Sequence, residues 1–303
     1  MTPAARIAAA IELLDDWLAG APAEKLLTTW GRRHRFAGSK DRAAIRDHVW
    51  EAIRCRRSFA ALGGAETGRG LMIGALRAEG QDPADVFTGE GYAPSPLAAG
   101  EGDAPAQGDL PEDVRLDCPD WLVADLRASL GTEFAPVMTA LRHRAPVFLR
   151  VNTARTSSTA AQAALADEGI ETRPHRLAPA ALEVTAGARQ IQGSAAYRDG
   201  LVELQDAASQ AVVAALGVRP GMQVLDYCAG GGGKTLALAA DGAEVVAHDV
   251  DPGRMRDLPE RAKRAGVHPR VLSGTAVAGA GPYDLAFADA PCSGSGAWRR
   301  TPE

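Results

Sequence analysis

Two short segments of this 303-residue chain carry most of its reactive side chains. The first is Cys228–Thr235, in which four successive glycines precede a lysine and a threonine. The second is Asp289–Gly294, in which Asp289 and Cys292 flank an Ala-Pro pair. A glycine-rich turn lets a ligand approach the backbone closely. An acid can transfer protons and a thiol can act as a nucleophile, so the two segments together suggest a group-transfer site.

The glycine loop Cys228–Thr235 has three candidate ligands. A phosphate-binding P-loop needs G-x4-G-K-[ST], but its first glycine would fall on Cys228. A dinucleotide fingerprint needs a final glycine where Leu236 stands. The third candidate is a nucleoside-bearing methyl donor, with Asp249 after the second strand placed to bind its ribose hydroxyls. A tight turn without a ligand is the remaining alternative.

An acid and a thiol beside a methyl donor suit methylation of carbon 5 of cytosine. That carbon becomes nucleophilic only when a thiolate adds to carbon 6 of the ring. A carboxyl group at the N3 edge stabilises the adduct by hydrogen bonding or proton transfer. Asp289 and Cys292 could supply these groups, and Arg299 and Arg300 follow them with charges that suit phosphate. Inert packing of the cysteine and a turn role for the aspartate are the structural alternatives.

Alternating strand and helix patterns surround both segments. Strands are predicted at Val224–Asp226, Glu244–Asp249, Arg270–Leu272 and Tyr283–Asp289. Three helices are predicted: the first at Gln205–Leu216, the second directly after the glycine loop, and the third over 253–265. This alternation predicts an α/β domain with a parallel, doubly wound sheet. The two reactive segments follow the first and fourth strands, so we expect them to meet at the carboxyl edge of the sheet.

The residues upstream have different patterns. A strand at Val147–Val151, a helix at Ser157–Asp167 and strands at Ile170–Arg173 and Leu182–Thr185 predict a small α+β module. Apolar spacings of three and four predict helices over residues 4–62. A further helix should begin at an Asp120 cap and end at Gly131. The acidic, Pro/Gly-rich stretch of about residues 80–112 is predicted to be a mobile linker.

Composition restricts the possible classes of protein. The chain is 46% hydrophobic and 23% charged, which is typical of a globular protein. No apolar run is long enough for a membrane span, and no signal peptide is apparent. The four cysteines form no CxxC pair or Cys/His cluster. We therefore expect no metal site or disulfide framework, and a reduced, cytoplasmic protein.

Charge is distributed unevenly along the chain. The net charge is −5, yet residues 1–60 hold 11 basic and 7 acidic side chains, a net of +4. This basic region includes Arg32, Arg33 and Arg35, and Arg150 lies in the α+β module. Basic side chains grouped in this way predict phosphate contacts with a nucleic acid.

The reactive segments also resemble the motifs of a known family. Val224–Thr235 is similar to the first motif of the Sun/Fmu-type RNA cytosine-C5 methyltransferases, and Asp289–Gly296 with Arg299–Pro302 is similar to their fourth. Leu149–Asn152 and Glu203–Ser209 also match, and Gly38–Arg42 resembles the NusB-like helical domain of this type. The resemblance covers essentially the whole chain and is closest to the bacterial 16S ribosomal RNA enzymes of RsmB type.

The resemblance implies three domains and their ligands. These are an all-α, NusB-like RNA-binding domain over 1–145, a small α+β RNA-binding module over 146–200, and a Rossmann-like methyltransferase domain over 201–303, cut short at its C-terminal side. The implied cofactor is S-adenosylmethionine, and the implied partner is ribosomal RNA, bound by a monomer. The implied cofactor-binding residues are Cys228, Ala229, Gly230, Gly231, Gly232, Gly233, Lys234, Asp249, Asp289 and Thr275. The implied catalytic residues are Asp289 and Cys292, and the implied RNA-binding residues are Arg32, Arg33, Arg35, Arg150, Arg299 and Arg300.

The chain departs from the family pattern in three places. Gly230-Gly231 stands where members usually have Ala-Pro, and Thr275 stands where an acid usually meets the adenine edge. The nucleophilic cysteine of the RNA enzymes belongs to a later Thr-Cys-Ser motif, which residues 1–303 do not contain. Cys292 belongs to the Pro-Cys motif, whose cysteine is the nucleophile only in the DNA enzymes. We therefore expect these residues alone to be inactive in methyl transfer. A non-catalytic RNA-binding factor and a nucleotide-hydrolysing switch are the alternatives.

Overall fold

A computed structural model describes residues 1–103 and 105–302 of the chain. These residues fold into two compact units. The first unit holds Met1–Ala145 and the segment from Gly294 onward, and the second holds Pro146–Ser293. No helix in the described part of the chain is long and apolar enough to cross a lipid bilayer.

The first unit is helical, which confirms the helical N-terminal region that the apolar spacing predicts. Its helices are α1 (Pro3–Leu18), α2 (Ala23–Arg33), α3 (Ser39–Arg54), α4 (Arg56–Gly63), α5 (Gly68–Ala78), α6 (Glu112–Arg115), α7 (Asp120–Leu130) and α8 (Phe134–Leu141). Single 3-10 turns lie at Pro83–Asp85, Gln107–Asp109, Gly131–Glu133 and Ser295–Ala297. The larger core of the unit is formed by buried apolar side chains of α1 to α5.

Local sequence explains where these helices begin. The Thr2 hydroxyl accepts a hydrogen bond from the Ala5 amide and caps α1. At α3 the direction is reversed: Asp41 lies in the first turn, and its carboxylate accepts a hydrogen bond from the amide of the N-cap residue Gly38 at 3.1 Å. Asp120 is the first residue of α7 rather than its cap, because Pro119 occupies the capping position. Pro119 makes no side-chain capping bond, so this helix lacks the predicted cap.

The acidic stretch of residues 80–112 is anchored rather than mobile in its described part. Phe87 is buried in the helical core. Arg69 and Glu101 form an ion pair at 2.8 Å, and the guanidinium of Arg69 also donates to the carbonyl of Pro96. The hydrogen bond from Arg69 holds the pKa of the Glu101 carboxyl at about 2. A high content of proline and glycine therefore does not produce a free linker here, because α5 supplies partners for it.

The second unit begins with an antiparallel sheet. Its elements are β1 (Val147–Val151), α9 (Ser158–Asp167), β2 (Thr172–Pro174), β3 (Ala181–Val184), α10 (Ala195–Arg198) and β4 (Val202–Leu204), with a 3-10 segment at Ala188–Gly193. The strand order is β2-β3-β1-β4. Leu149 of β1 lies opposite Leu182 of β3 and Leu204 of β4, at the centre of an apolar core. Strand β4 was not predicted, because its three residues are too short to show a pattern.

A parallel sheet follows in the same unit. Its elements are α11 (Ala207–Ala215), β5 (Gln223–Asp226), α12 (Gly233–Ala240), β6 (Glu244–Ala247), a 3-10 turn at Pro252–Met255, α13 (Leu258–Ala265), β7 (Arg270–Val271), α14 (Ala276–Gly279) and β8 (Leu285–Phe287). The strand order is β7-β6-β5-β8, and every pair is parallel. This confirms the predicted doubly wound α/β domain. The helix predicted over 253–265 is interrupted, since Pro259 allows α13 to begin only at Leu258.

Hydrogen bonds join the two sheets of the second unit. The Asn152 amide donates to the carbonyls of Gly200 and Ala265, at 2.9 and 2.8 Å. Arg264 of α13 donates to the Glu203 carboxylate of β4 at 2.7 Å. The boundary predicted after residue 200 therefore runs through a compact unit, and residues 146–293 pack together.

Candidate functional site

The carboxyl ends of three parallel strands bring the predicted site residues to one edge of the sheet. Asp226, the last residue of β5, lies opposite Ala247 of β6 and Phe287 of β8. The glycine loop leaves β5 at this edge, and Asp249 and Asp289 follow β6 and β8. Strand ends at a crossover of this kind are where doubly wound sheets bind ligands.

The glycine loop has a backbone that other residues would strain. Gly230 and Gly232 have φ values of +49° and +81°. A Cβ on Gly232 would also lie 2.3 Å from Cδ1 of Leu258, so α13 packs directly on the loop. Because α12 begins at Gly233, its first backbone N–H groups lack helical partners and can bind an electron-rich ligand.

The Asp249 side chain holds the glycine loop through hydrogen bonds to backbone amides. Its carboxylate is buried and accepts hydrogen bonds from the amides of Gly230 and Asp251, both at 3.0 Å. Arg254 adds an ion pair at 3.5 Å. The Asp249 carboxylate therefore fixes the loop without a ligand. Its contact with the ribose of a bound donor stays a prediction.

Arg261 supports the loop from α13. Its guanidinium donates to the carbonyl of Gly231 and lies 3.3 Å from the buried carboxylate of Glu203. A Cβ on Gly231 would stand 3.1 Å from Nη1 of Arg261. The glycine that replaces the family's proline thus leaves room for this arginine. The sequence pattern did not single out Arg261, since a charged residue on α13 is typical of a solvated helix face.

A cavity of about 160 Å3 opens between the loop and β8. Its lining residues are Gln205, Ser209, Asp226, Cys228, Ala229, Gly233, Lys234 and Asp289. Lys234 and Asp289 form an ion pair of 2.6 Å in its wall. Of the predicted cofactor-binding residues, Cys228, Ala229, Gly233, Lys234 and Asp289 line this cavity, whereas Gly230, Gly231 and Gly232 do not. Gln205, Ser209 and Asp226 line it but were not among the predicted site residues. The matching Glu203–Ser209 segment was the signal that could have found the first two.

Asp226 is the most unusual group in this cavity. It is buried, and only its Oδ2 has a partner, the Thr235 hydroxyl at 2.7 Å. Its Oδ1 has no hydrogen-bond partner among residues 1–103 and 105–302. Burial raises the pKa of the Asp226 carboxyl, and the hydrogen bond from Thr235 opposes this shift. An unpartnered buried oxygen beside a cavity is a ready acceptor for a donor group of a ligand.

The site suits a methyl donor better than a nucleoside triphosphate. S-adenosylmethionine carries an amino group that could donate a hydrogen bond to Asp226, and the backbone amides of the glycine loop could bind its carboxylate. A P-loop would instead need Lys234 free for phosphate and Thr235 free for Mg²⁺. Lys234 is paired with Asp289, and the fully buried Thr235 donates to Asp226. The nucleotide-hydrolysing alternative is thus disfavoured by the partners of both side chains.

The two cysteines near the site differ in their surroundings. Cys228 is half-buried and lines the cavity. Burial raises the pKa of its thiol, and the carboxylates of Asp249 and Asp226 add to the increase. Cys292 is exposed and is not among the residues that line the cavity. Thr275, predicted at the adenine edge, is also exposed and outside the lining residues.

The predicted RNA-binding arginines have different environments. Arg150 is buried and donates to Gln205 at 2.7 Å, and burial lowers its pKa to about 10. A phosphate cannot reach this buried guanidinium, so the prediction of a phosphate contact for Arg150 is wrong, and the side chain contacts Gln205 instead. Arg299 donates to the carbonyls of His143 and Arg144 in the first unit, both at 2.9 Å, so its guanidinium is largely engaged. Arg32, Arg33, Arg35 and Arg300 are exposed.

The strand order, the glycine loop and the acids after β6 and β8 define a Rossmann-like domain of the methyltransferase class. Two family descriptions match the chain. Residues 118–190 match the ferredoxin-like domain of RsmF/B-like methyltransferases, and residues 213–303 match the 16S rRNA methyltransferase RsmB/F family. These matches confirm the resemblance to the Sun/Fmu-type ribosomal RNA methyltransferases.

Curated relatives agree with these matches. The chain is 34% identical over 192 residues to "Ribosomal RNA small subunit methyltransferase B" of Citrobacter koseri, which covers 61% of this chain and 45% of the relative. It is 34% identical over 203 residues to the protein of the same name from Salmonella arizonae, covering 63% and 46%. The chain thus spans about half the length of the curated relatives it matches.

Solved structures resemble the fold. The structure described as "Crystal Structure of PH0851" aligns over 100% of this chain and 77% of its own, with a TM-score of 0.71 and 20% identity. A methyltransferase homolog protein from Pyrococcus horikoshii aligns over 66% of this chain and 67% of its own, with a TM-score of 0.54 and 28% identity. The first of these similarities concerns the fold alone.

Proposed function

We propose that this chain belongs functionally to the S-adenosylmethionine-dependent methyltransferases that act, as monomers, on carbon 5 of a cytosine in ribosomal RNA. Residues 1–303 by themselves then bind the methyl donor and the RNA but transfer little methyl. The observation that carries the proposal is the cavity at the carboxyl edge of the parallel sheet. It joins the glycine loop, the unpartnered oxygen of Asp226 and the Lys234–Asp289 pair. The names of the curated relatives support ribosomal RNA of the small subunit as the substrate.

Each part of the cavity has a separate task in this proposal. S-adenosylmethionine supplies an electrophilic methyl group when it is bound. Asp226 and the loop amides bind and orient the donor, while Asp249 and Arg261 keep the loop in shape. Asp289 is more than half exposed, with 54% of its side chain accessible, so it can reach a base as well as the donor. Lys234 holds this carboxylate in one position, from which it can stabilise the N3 edge of cytosine.

Calorimetry with S-adenosylmethionine and with ATP tests the donor site. We expect the first ligand to bind and the second not to bind, because Lys234 and Thr235 are engaged.

We expect Asp249→Ala to weaken S-adenosylmethionine binding by about 1.5–3 kcal/mol, since it removes a charge-assisted contact and releases the loop. Asp257→Ala is the matched control, because the Asp257 side chain is 73% exposed and makes no capping hydrogen bond to α13. An unchanged dissociation constant for Asp249→Ala would remove Asp249 from the site.

A further inference from the structure

An open groove in the first unit has an aromatic wall. Its volume is about 640 Å3. We call it the aromatic groove, and its lining residues are Met1, Thr2, Ala5, Ala8, Ala9, Glu12, Trp30, His34, Phe36 and Tyr92. One side is the first half of α1, and the other is the end of α2 and the turn that follows it. The methyl-donor cavity lies in the other unit, so the groove is a separate feature.

The groove combines a buried aromatic ring, that of Trp30, with two highly exposed ones, those of Phe36 and Tyr92. The rings of Trp30 and His34 are stacked with centroids 4.4 Å apart and planes 19° apart. Phe36 meets His34 edge-on at 5.7 Å. Phe36 is 74% exposed and Tyr92 is 87% exposed. Large exposed rings that serve no core are costly in water, and they are typical of surfaces that bind a flat partner.

The cations beside the groove lack partners. Arg32, Arg33, Arg35 and Lys40 are exposed. Other arginines of this unit are in ion pairs, such as Arg69 with Glu101 and Arg142 with Asp117. Within residues 1–103 and 105–302, the side chains of these four cations make no hydrogen bond or ion pair. Their charge is therefore available to an anionic partner. Arg35 lies in the turn with His34 and Phe36, Arg32 and Arg33 end α2 just before that turn, and Lys40 lies at the start of α3 just after it.

Glu12 indicates which part of that partner enters the groove. Its carboxylate is exposed in the lining and makes no hydrogen bond or ion pair with the described residues. A carboxylate repels phosphate but accepts hydrogen bonds from the N–H groups of a base. Guanine offers two adjacent donors, N1–H and the N2 amino group, whereas uracil offers only N3–H. The groove thus suits a base, and its basic rim suits the adjoining phosphates.

We propose that the aromatic groove binds an unpaired nucleobase of single-stranded RNA, with guanine preferred, while Arg32, Arg33, Arg35 and Lys40 contact the phosphates beside it. Base stacking on aromatic rings combined with a basic surface is how proteins bind single-stranded nucleic acid. The proposal rests on the proposed function only in taking RNA as the partner. It assigns the RNA contact to a defined groove on the first unit.

Fluorescence anisotropy of the full chain with short labelled RNAs tests this groove. The probes are an all-uridine heptamer and the same heptamer with one central guanosine. We expect Phe36→Leu and Tyr92→Ala each to weaken binding at least about fivefold, since each variant loses a ring on which a base can stack. Leucine keeps the apolar surface of Phe36 but cannot stack. Trp121→Ala is the matched control, because Trp121 is 77% exposed in the same unit but does not line the groove.

A second variant tests the choice of base. We expect Glu12→Gln to reduce the preference for the guanosine probe while leaving all-uridine binding equal or tighter. Equal RNA affinity in the parent, Phe36→Leu and Tyr92→Ala would contradict the proposal that the aromatic groove binds a base. So would a concentration-dependent dimer that Phe36→Ala abolishes, since a second copy would then be the occupant. A parent chain that binds S-adenosylmethionine but neither RNA would overturn the groove and the RNA substrate while leaving the donor site intact.

Discussion

Arg261 connects the glycine loop to the antiparallel sheet through two contacts. It donates to the carbonyl of Gly231 and pairs with Glu203, whose side chain is only 8% exposed. Glu203 also pairs with Arg264 at 2.7 Å. The carboxylate therefore orients two arginines of α13, one of which reaches the loop. A loop held in its binding shape before the ligand arrives loses less conformational entropy on binding.

Arg261→Ala should therefore weaken the binding of S-adenosylmethionine by about 5- to 30-fold, which corresponds to about 1–2 kcal/mol for the lost contacts. Calorimetry measures this change. Arg256→Ala is the control, because Arg256 is 82% exposed and only loosely paired with Asp257. A thermal midpoint that falls while the affinity stays constant would show that Arg261 supports the fold alone and does not position the loop.

Asp226 makes the stability of the second unit depend on pH. Burial raises its folded-state pKa above the ordinary value of 3.8. A raised pKa means that the folded protein binds this proton more tightly than the unfolded chain does. The resulting stabilisation is complete below the unfolded value and is lost as the pH rises through the folded value.

Asp226→Asn keeps the shape of the side chain but cannot titrate. We expect the free energy of unfolding of the variant, minus that of the parent, to increase with pH from about 3.8 through the raised value and then to level off. Urea denaturation across this range measures the difference, and effects of other carboxyl groups cancel in the subtraction. Parallel curves for the two proteins would show that the pKa of Asp226 is the same in the folded and unfolded chain.

Among the helices and strands, two buried strands were the elements most fully predicted. Strand β1 of the antiparallel sheet has the predicted bounds, and β5 of the parallel sheet differs by one residue at its start, because short apolar runs bounded by turns mark such strands clearly. Strand β4 escaped prediction because it is defined by pairing with β1 rather than by its own residues. Arg150 was misassigned for a related reason: the alternation along β1 does not reveal that the strand lies between two others.

The end of α2 gives a prediction about salt. Arg32, Arg33 and Arg35 lie at or just beyond this end and have no described partner. If each contacts a phosphate, the triple alanine variant should flatten the slope of log affinity against log salt by about 2–3. Anisotropy at several salt concentrations measures the slope. Replacing Arg46, which is paired with Glu24 at 2.6 Å, is the control. An unaltered slope for the triple variant would identify these arginines as a solvated surface.

For the chain as a whole, the donor cavity favours binding of S-adenosylmethionine, whereas the surroundings of the cysteines do not favour methyl transfer. The cavity proposed for the donor is lined by Asp226, Asp289 and both ends of the glycine loop. All four cysteines are free, and two of them, Cys55 and Cys118, are buried in the first unit. A thiol attacks carbon 6 of cytosine as the thiolate, so it needs a lowered pKa and access to the bound base.

Residues 1–303 should therefore bind S-adenosylmethionine but transfer little methyl to RNA. Cys228 lines the cavity, but burial and two carboxylates raise the pKa of its thiol. Cys292 is exposed and lies outside the cavity lining, so it is not held against a base. Transfer of tritiated methyl groups to ribosomal RNA tests this, with the chain and its Cys292→Ala and Cys228→Ala variants compared. Activity abolished by only one substitution would identify that cysteine as the nucleophile. Activity surviving in both variants would mean that neither thiol is required, and either result would contradict the expected inactivity.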